Sequence, residues 1–233
     1  TVRRWLHDES GLDAVVCDAL LAEETRPRTQ RVGDGLLVIL RGVNLNPGAQ
    51  PEAMVSIRMW IEAERIITLR AMKLKATQDI RDRLAQGRGP GTPGDFVVAL
   101  TGGLLDRVWP VIEALDDGVD AIESRVVEGG GRELRATLSD IRRRTILLRR
   151  FIAPQRDAIA RAATETCSWL TDRHRNQLRE ASERITRFVE DLDAIRDRSA
   201  VMHEEMANIV SDQMNRTMRS EERRVGKECR SRW

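Results

Sequence analysis

Small, amide and acidic side chains recur every three or four residues near the end of the sequence. Counted back from Asn215, the series is Ser211, Asn208, Glu204, Val201 and Asp197. At that spacing the side chains share one face of an α-helix. The series contains neither Lys nor Arg, whereas a solvated helix face normally alternates Lys and Glu. Because amide, hydroxyl and carboxylate oxygens attract hydrated cations, the pattern indicates a helix face suited to cations.

Two explanations of this face stay open. Copies of the helix could surround an axis, so that rings of amides and carboxylates line a path for cations. Alternatively, the chain could be a coiled-coil scaffold with an α/β cap and no role in ion transport. The opposite side of the helix is compatible with both, since it carries an apolar seam at near-heptad spacing. The seam consists of Leu178, Ile185, Phe188, Leu192, Ile195, Met202, Met206 and Ile209.

Candidate metal ligands are few. Glu204 is predicted to face the axis, and His203 would lie about 100° away, between neighbouring helices. A histidine in that place could couple proton binding to helix movement, which is a hypothesis. Cys167 and His174 are separated by ~11 Å of helix rise, so they cannot bind one ion within a chain and are predicted to be structural or merely surface residues. The acidic run 190–197 is predicted to form ion pairs with flanking arginines rather than an ion site.

Charge and motifs exclude two other classes of function. Residues 1–218 carry 33 basic and 34 acidic side chains, whereas binding to nucleic acid needs a clustered excess of Lys and Arg. The run RRRTILLRR at 142–150 is predicted to be a solvated face paired with acidic residues of 113–128. GRGPGTPG at 87–94 lacks the Lys-Ser/Thr ending of a phosphate-binding loop and is predicted to be a linker. No nucleophile has a base at recognisable spacing, so the chain is not expected to be an enzyme.

The cysteines and the apolar runs indicate a setting inside the cell. Cys17, Cys167 and Cys229 lie far apart in the sequence, so neither a disulfide framework nor a paired thiolate zinc motif is predicted. The apolar run LLVIL at 36–40 is far shorter than the ~20 residues needed to cross a bilayer. The chain as given is therefore expected to be soluble.

Residues 1–94 predict an α/β cap. A short helix is expected over 11–22, followed by a loop at TRPRTQ, where Pro27 interrupts the helix. Three apolar runs then predict a meander of strands, of which the last two form a close hairpin. These runs are 35–45, 53–61 and 65–71. A further helix is predicted from Leu74 until Gly87.

The remaining residues predict long helices. Residues 95–127 form one amphipathic helix, and GGGR at 129–132 turns the chain into an antiparallel return helix that Pro154 is expected to interrupt. A third helix from about Leu170 to Met218 would be roughly 70 Å long.

The fold class is thus α+β. An N-terminal α/β cap with a short, mostly antiparallel sheet (1–94) precedes a long helical hairpin and a very long C-terminal stalk helix (95–218). Residues 219–233 show no pattern and are predicted to be a structureless charged tail.

Several motifs, in this order, resemble the cytoplasmic part of the CorA metal-ion transporter family, most closely its zinc-transporting ZntB branch. They are RPRTQRVGDGLLVILRGV, FIAPQRDAIARA, RITRFVEDLDAIRDRSAV and QMNRTM. The resemblance spans residues 1–218 and includes the long helical hairpin. In the family a strongly apolar transmembrane segment follows the last motif, so residues 219–233 are expected to be a tail in its place.

The resemblance implies a funnel-shaped homopentamer whose stalk helices line an ion pathway. Asn215, Met218, Ser211, Asn208 and Glu204 would line it, with the Asn215 carbonyl acting on the hydration shell and Met218 narrowing an apolar constriction. Glu204 and His203 are the candidate metal-binding residues.

The resemblance also implies the cargo, partners and location. The cargo would be zinc or another divalent cation, with no tightly bound cofactor. Expected partners are identical chains, divalent metal ions and, through a segment absent here, the membrane; nucleic acid is not one. The intact protein would lie at the cytoplasmic side of the bacterial inner membrane.

Overall fold

A four-stranded antiparallel sheet and three long helices make up most of the molecule. The computed structural model describes residues 2–23, 25–126 and 132–230. The sheet contains β1 (Arg28–Val32), β2 (Gly35–Gly42), β3 (Val55–Ile61) and β4 (Ile66–Arg70) in that spatial order. The helices are α1 (Val2–Asp8), α2 (Ala14–Leu21), α3 (Lys75–Ala85), α4 (Pro93–Val126), α5 (Arg132–Thr164) and α6 (Asp172–Arg230). The predicted α+β class is confirmed.

Strand β2 is buried on both faces because helices cover both sides of the sheet. Its alternate residues Leu36, Val38 and Leu40 belong to the core shared with the long helices. Leu37 faces the other way and packs with Trp60 of β3 and with α1 and α2. A strand covered on both faces gives a continuous apolar run instead of an alternating one, which is the pattern of LLVIL.

Strand β1 corrects one prediction, because residues 28–30 were expected to lie in a loop. The strand begins directly after Pro27, and a two-residue turn with Gly33 at φ 61° leads into β2. The hydroxyl of buried Thr29 donates a hydrogen bond to the Ala158 carbonyl oxygen of α5, with 2.7 Å between the two oxygens. The contact with α5 is remote in sequence, so local pattern did not reveal the strand.

Helix α5 corrects a second prediction, since it continues through Pro154 without interruption. Proline removes one helical hydrogen bond. The helix nevertheless buries Ile152 on one side of the proline, and Ala158 and Ile159 on the other, in the shared core. This burial offsets the local loss. The turn predicted at 129–132 lies outside the described residues, apart from Arg132 at the start of α5.

Helix α6 is longer than predicted, because residues 219–230 continue it instead of forming a structureless tail. Arg, Glu and Lys are good helix formers, and this stretch contains no proline. Helix α6 packs along both α4 and α5, more extensively against α5. Its last buried seam residue is Met206. Among the described residues, no helix has an apolar stretch long enough to cross a membrane.

Candidate functional site: the polar face of helix α6

The buried seam of α6 sets the direction of its polar face. Leu192, Ile195, Ser199, Met202 and Met206 follow the helical repeat and are all at least nine-tenths buried. The residues on the opposite side are exposed. They are Asp197, Val201, Glu204, Asn208, Ser211 and Asn215, which we call the polar stripe. The structure therefore places the stripe away from the chain's own core.

The polar stripe forms a row, and within one chain it does not form a cluster. Its members are one helical turn apart, about 5 to 6 Å along the axis. Among the described residues, Glu204, Asn208, Ser211 and Asn215 make no hydrogen bond or ion pair. No group of three or more His, Cys, Asp or Glu side chains in the described part could hold a metal ion.

Met218 and His203, the other two predicted site residues, lie on the same helix. Met218 is 60% exposed and is beyond the part of α6 that the core covers. His203 is exposed and lines a groove between α5 and α6, which Glu204 does not line. This separation follows from the rotation of about 100° per helical residue.

The acidic run 190–197 is engaged in ion pairs. Asp193 accepts two hydrogen bonds from Arg149 of α5, at 2.7 and 2.9 Å, and lies 2.9 Å from Arg196. Arg196 also contacts Asp197 at 2.8 Å. The prediction of ion pairs is supported for Arg196, whereas Arg187, the other predicted partner, makes no ion pair among the described residues. The main partner, Arg149, comes from a different helix.

The pairing predicted for the basic run 142–150 is wrong. Its arginines contact Asp140, Asp193 and the buried Glu52 of the β2–β3 loop, and not the acidic residues in the described part of 113–128, which ends at residue 126. The reason is the arrangement of the helices, because the arginine-bearing side of α5 faces the cap and α6. Asp116, Asp120 and Glu123 of α4 are paired with Arg198 of α6 instead.

Arg198 joins α6 to α4 and is a residue that sequence reasoning missed. It contacts Asp116 at 2.8 Å, Glu123 at 2.7 Å and Asp120. Hydrogen bonds to Asp120 and Glu123 raise the pKa of Arg198 further above its ordinary value. The three acidic residues follow a helical spacing of four and three, which was the available signal.

The predicted structural roles of Cys167 and His174 agree with their surroundings. Cys167 is buried in the core, and burial raises the pKa of its thiol. The Nδ1 atom of His174 accepts a hydrogen bond from the Thr171 amide, so the ring proton lies on Nε2. Nε2 donates a hydrogen bond to the Asp95 carboxylate at 3.1 Å. The Thr92 hydroxyl and then His174 lower the pKa of Asp95 by hydrogen bonding. The contact ties the starts of α4 and α6 together.

Comparison with known proteins decides the family. A family model described as "CorA-like Mg2+ transporter protein" matches residues 1–220. The chain belongs to the CorA family. Its relatives are named as divalent cation transporters, and this agrees with the prediction that the chain is not an enzyme.

Two relatives and one solved structure are close to this CorA-family chain. It is 43% identical over 217 residues to the divalent cation transporter CmaX of Pseudomonas aeruginosa, covering 92% of this chain and 65% of the relative. It is 36% identical over 212 residues to the zinc transport protein ZntB of Yersinia enterocolitica, covering 91% and 64%. The ZntB cytoplasmic domain of Vibrio parahaemolyticus superposes with a TM-score of 0.81 at 26% identity, covering 91% and 84%. The chain thus spans slightly less than two thirds of both relatives' length.

Proposed function

We propose that this chain is the cytoplasmic part of a divalent metal cation transporter, with zinc as the first candidate cargo. In the proposal, five copies form a funnel and their α6 helices surround the ion pathway. The observation that carries it is the polar stripe. Its six residues are exposed, lie opposite the buried seam and include neither Lys nor Arg. A symmetric ring would multiply each of its oxygen ligands by the number of copies.

Four residues of the stripe have a defined task in the proposal. The Glu204 carboxylates raise the local cation concentration, and the oxygens of Asn208, Ser211 and Asn215 contact the hydration shell. Met218 narrows the pathway as an apolar ring. Small tilts of the rods would widen or narrow the Asn215 and Met218 rings. His203 lies beside the pathway, where it could affect the tilt.

The proposed location is the cytoplasmic side of the bacterial inner membrane. The relatives support it because they are transporters about half as long again as the part that this chain matches. In the proposal the membrane segment follows Met218, and residues 219–233 stand in its place.

The test is ion uptake by a fusion of residues 1–218 to the C-terminal third of the CmaX relative, reconstituted in vesicles with Zn²⁺, Mg²⁺, Co²⁺ or Ni²⁺. Asn215→Lys should reduce uptake at least about tenfold, because a ring of ammonium groups repels cations. Met214→Lys is the matched control. It makes the same change of charge one residue away, but about 100° round the helix.

The alternative scaffold function predicts a different result. A coiled-coil scaffold should tolerate Asn215→Lys, so the two lysine variants would then take up cations equally. Equal uptake by these variants would contradict the proposed pathway. The ion that is taken up fastest identifies the cargo.

A further inference from the structure

The groove between α5 and α6 has an apolar floor that the described residues leave uncovered. The cavity measures about 390 Å³. Leu138, Ile146 and Leu147 form the floor, and Ile146 is 48% exposed. A cavity of this volume on a helical surface accommodates one or two side chains.

Two arginines and a histidine lie on the rim of the groove. Arg142 and His203 lie on it, and among the described residues neither makes a hydrogen bond or an ion pair. Arg143 also lies on the rim, but Asp140 holds it at 2.8 Å. An occupant that combines an apolar side chain with a carboxylate would complement both the floor and the rim.

The other flank of α6 carries such a combination. Val201 is 56% exposed, and Glu205, one turn later, is exposed and has no ion pair within the described part of the chain. Both lie about 200° round the helix from His203. The two complementary surfaces therefore occupy opposite sides of one rod and cannot meet within a single chain.

We propose that Val201 and Glu205 of one copy dock into the α5–α6 groove of the next copy. Val201 covers the floor at Leu138 and Ile146, and the Glu205 carboxylate faces Arg142 and His203. The inference rests on the proposed ring of α6 helices. It deepens that proposal by naming the surfaces that join adjacent copies.

The helical geometry supports this pairing in two ways. Rotation about an axis parallel to α6 leaves the position of every residue along that axis unchanged. Val201 and Glu205 lie at nearly the same position along the axis as Ser199 and His203, which line the groove. In addition, Glu204 and Asn208 lie between the two flanks on the helix circumference. Head-to-tail docking therefore turns the polar stripe toward the axis and generates a ring when the rotation closes.

The proposal also accounts for Val201. This residue is the only apolar member of the polar stripe, and it has no oxygen with which to bind a cation. It lies at the edge of the stripe next to Glu205, where a neighbouring copy can bury it.

Sedimentation velocity of the chain, from micromolar concentrations to about 1 mM, tests the interface. The chain should self-associate. Arg142→Glu and Glu205→Arg should each weaken association at least about tenfold, and the double variant should restore it to within about threefold of the parent. Circular dichroism checks that each variant is folded. Both substitutions replace exposed side chains, so the helices should be retained.

Two matched charge reversals serve as controls. Arg88→Glu and Glu113→Arg change exposed side chains away from the groove and from the Val201 flank, and should leave association unchanged. A chain that stays monomeric at the highest concentration would overturn the proposal. So would association that survives both single reversals, or a double variant no better than the singles.

The sedimentation test of the interface and the uptake test of the proposed function can fail independently of each other. If uptake still falls in Asn215→Lys while both single reversals leave assembly intact, the pathway stands and this interface is wrong. If charge-swapped chains assemble as expected but the two lysine variants conduct equally, the interface stands and the pathway is wrong.

Discussion

Gln155 replaces a missing strand partner at the edge of the sheet. Pairing between β1 and β2 ends at Arg28 and Ile39, so no strand residue can accept the amide hydrogen of Arg41 on that side. The Gln155 side-chain oxygen accepts it at 2.6 Å, and Gln155 is 1% exposed. A backbone amide left without an acceptor in such a place is costly. Gln155 therefore adds a hydrogen bond between α5 and the cap, beside the one from Thr29 to Ala158.

Replacement of Gln155 by Met should destabilise the protein. The substitution keeps the length of the side chain but removes the acceptor, so the free energy of unfolding should fall by about 1–3 kcal/mol. Urea unfolding followed by circular dichroism measures the change. Gln30→Met, at an exposed position of β1, is the control and should change stability by less than about 0.5 kcal/mol. Equal losses in both variants would contradict the assigned role.

Helices α4 and α6 are joined by one cation and three carboxylates. Asp116, Asp120 and Glu123 form a row on α4, and Arg198 contacts all three. Without that guanidinium the row would be a line of like charges at helical spacing, which is destabilising. Because α6 also carries the polar stripe, this contact holds the proposed pathway helix against α4.

Replacement of Arg198 by Met should loosen this contact in a salt-dependent way. The Arg198 side chain is 37% exposed, so solvent screening limits the expected loss of stability to about 1 kcal/mol. Added salt should recover part of the loss, since it screens the remaining carboxylates. Thermal unfolding at low and high ionic strength measures both effects.

The control for this pair is Arg187→Met. Arg187 lies on the same helix and makes no ion pair in the described part of the chain, so its removal should have a smaller effect. A loss in Arg198→Met that is unchanged by salt would show that packing of the side chain, and not charge, is responsible.

At the scale of the whole molecule, the cap and the long helices share one core. The cluster of buried residues runs without a break from Leu36 of the sheet to Met206 of α6. Only the smaller cluster around Leu6 and Trp60 lies apart, on the outer face of the sheet. The predicted boundary between residues 94 and 95 falls at the first turn of α4. The division into two domains therefore stays a prediction.

Calorimetry can decide whether the two parts unfold together. Because the core is continuous, the chain should show a single transition whose calorimetric and van't Hoff enthalpies agree, with a ratio of about 1. Intrinsic fluorescence of two variants that each keep a single tryptophan, Trp60 in the sheet or Trp109 in α4, should report the same midpoint. Two resolved transitions would instead support a cap that folds on its own.

Much of the fold is encoded in local pattern. The helical repeat over 95–127 and over about 170–218 and the continuous apolar run of β2 predicted those elements, because each pattern follows from burial of one face or of both. The same repeat identified the polar stripe. Its exposure in the structure follows from the buried seam on the opposite side.

Other features depend on contacts between distant residues, and only the tertiary structure decided them. Strand β1 and the continuation of α5 through Pro154 depend on packing between α5 and the sheet. The partners of the arginines depend on which helix faces which, since a charged run indicates that pairs will form but not with whom. The groove beside His203 is likewise created by two helices, so neither sequence segment contains it. Periodicity is a local property, whereas partnership is set by the arrangement of whole elements.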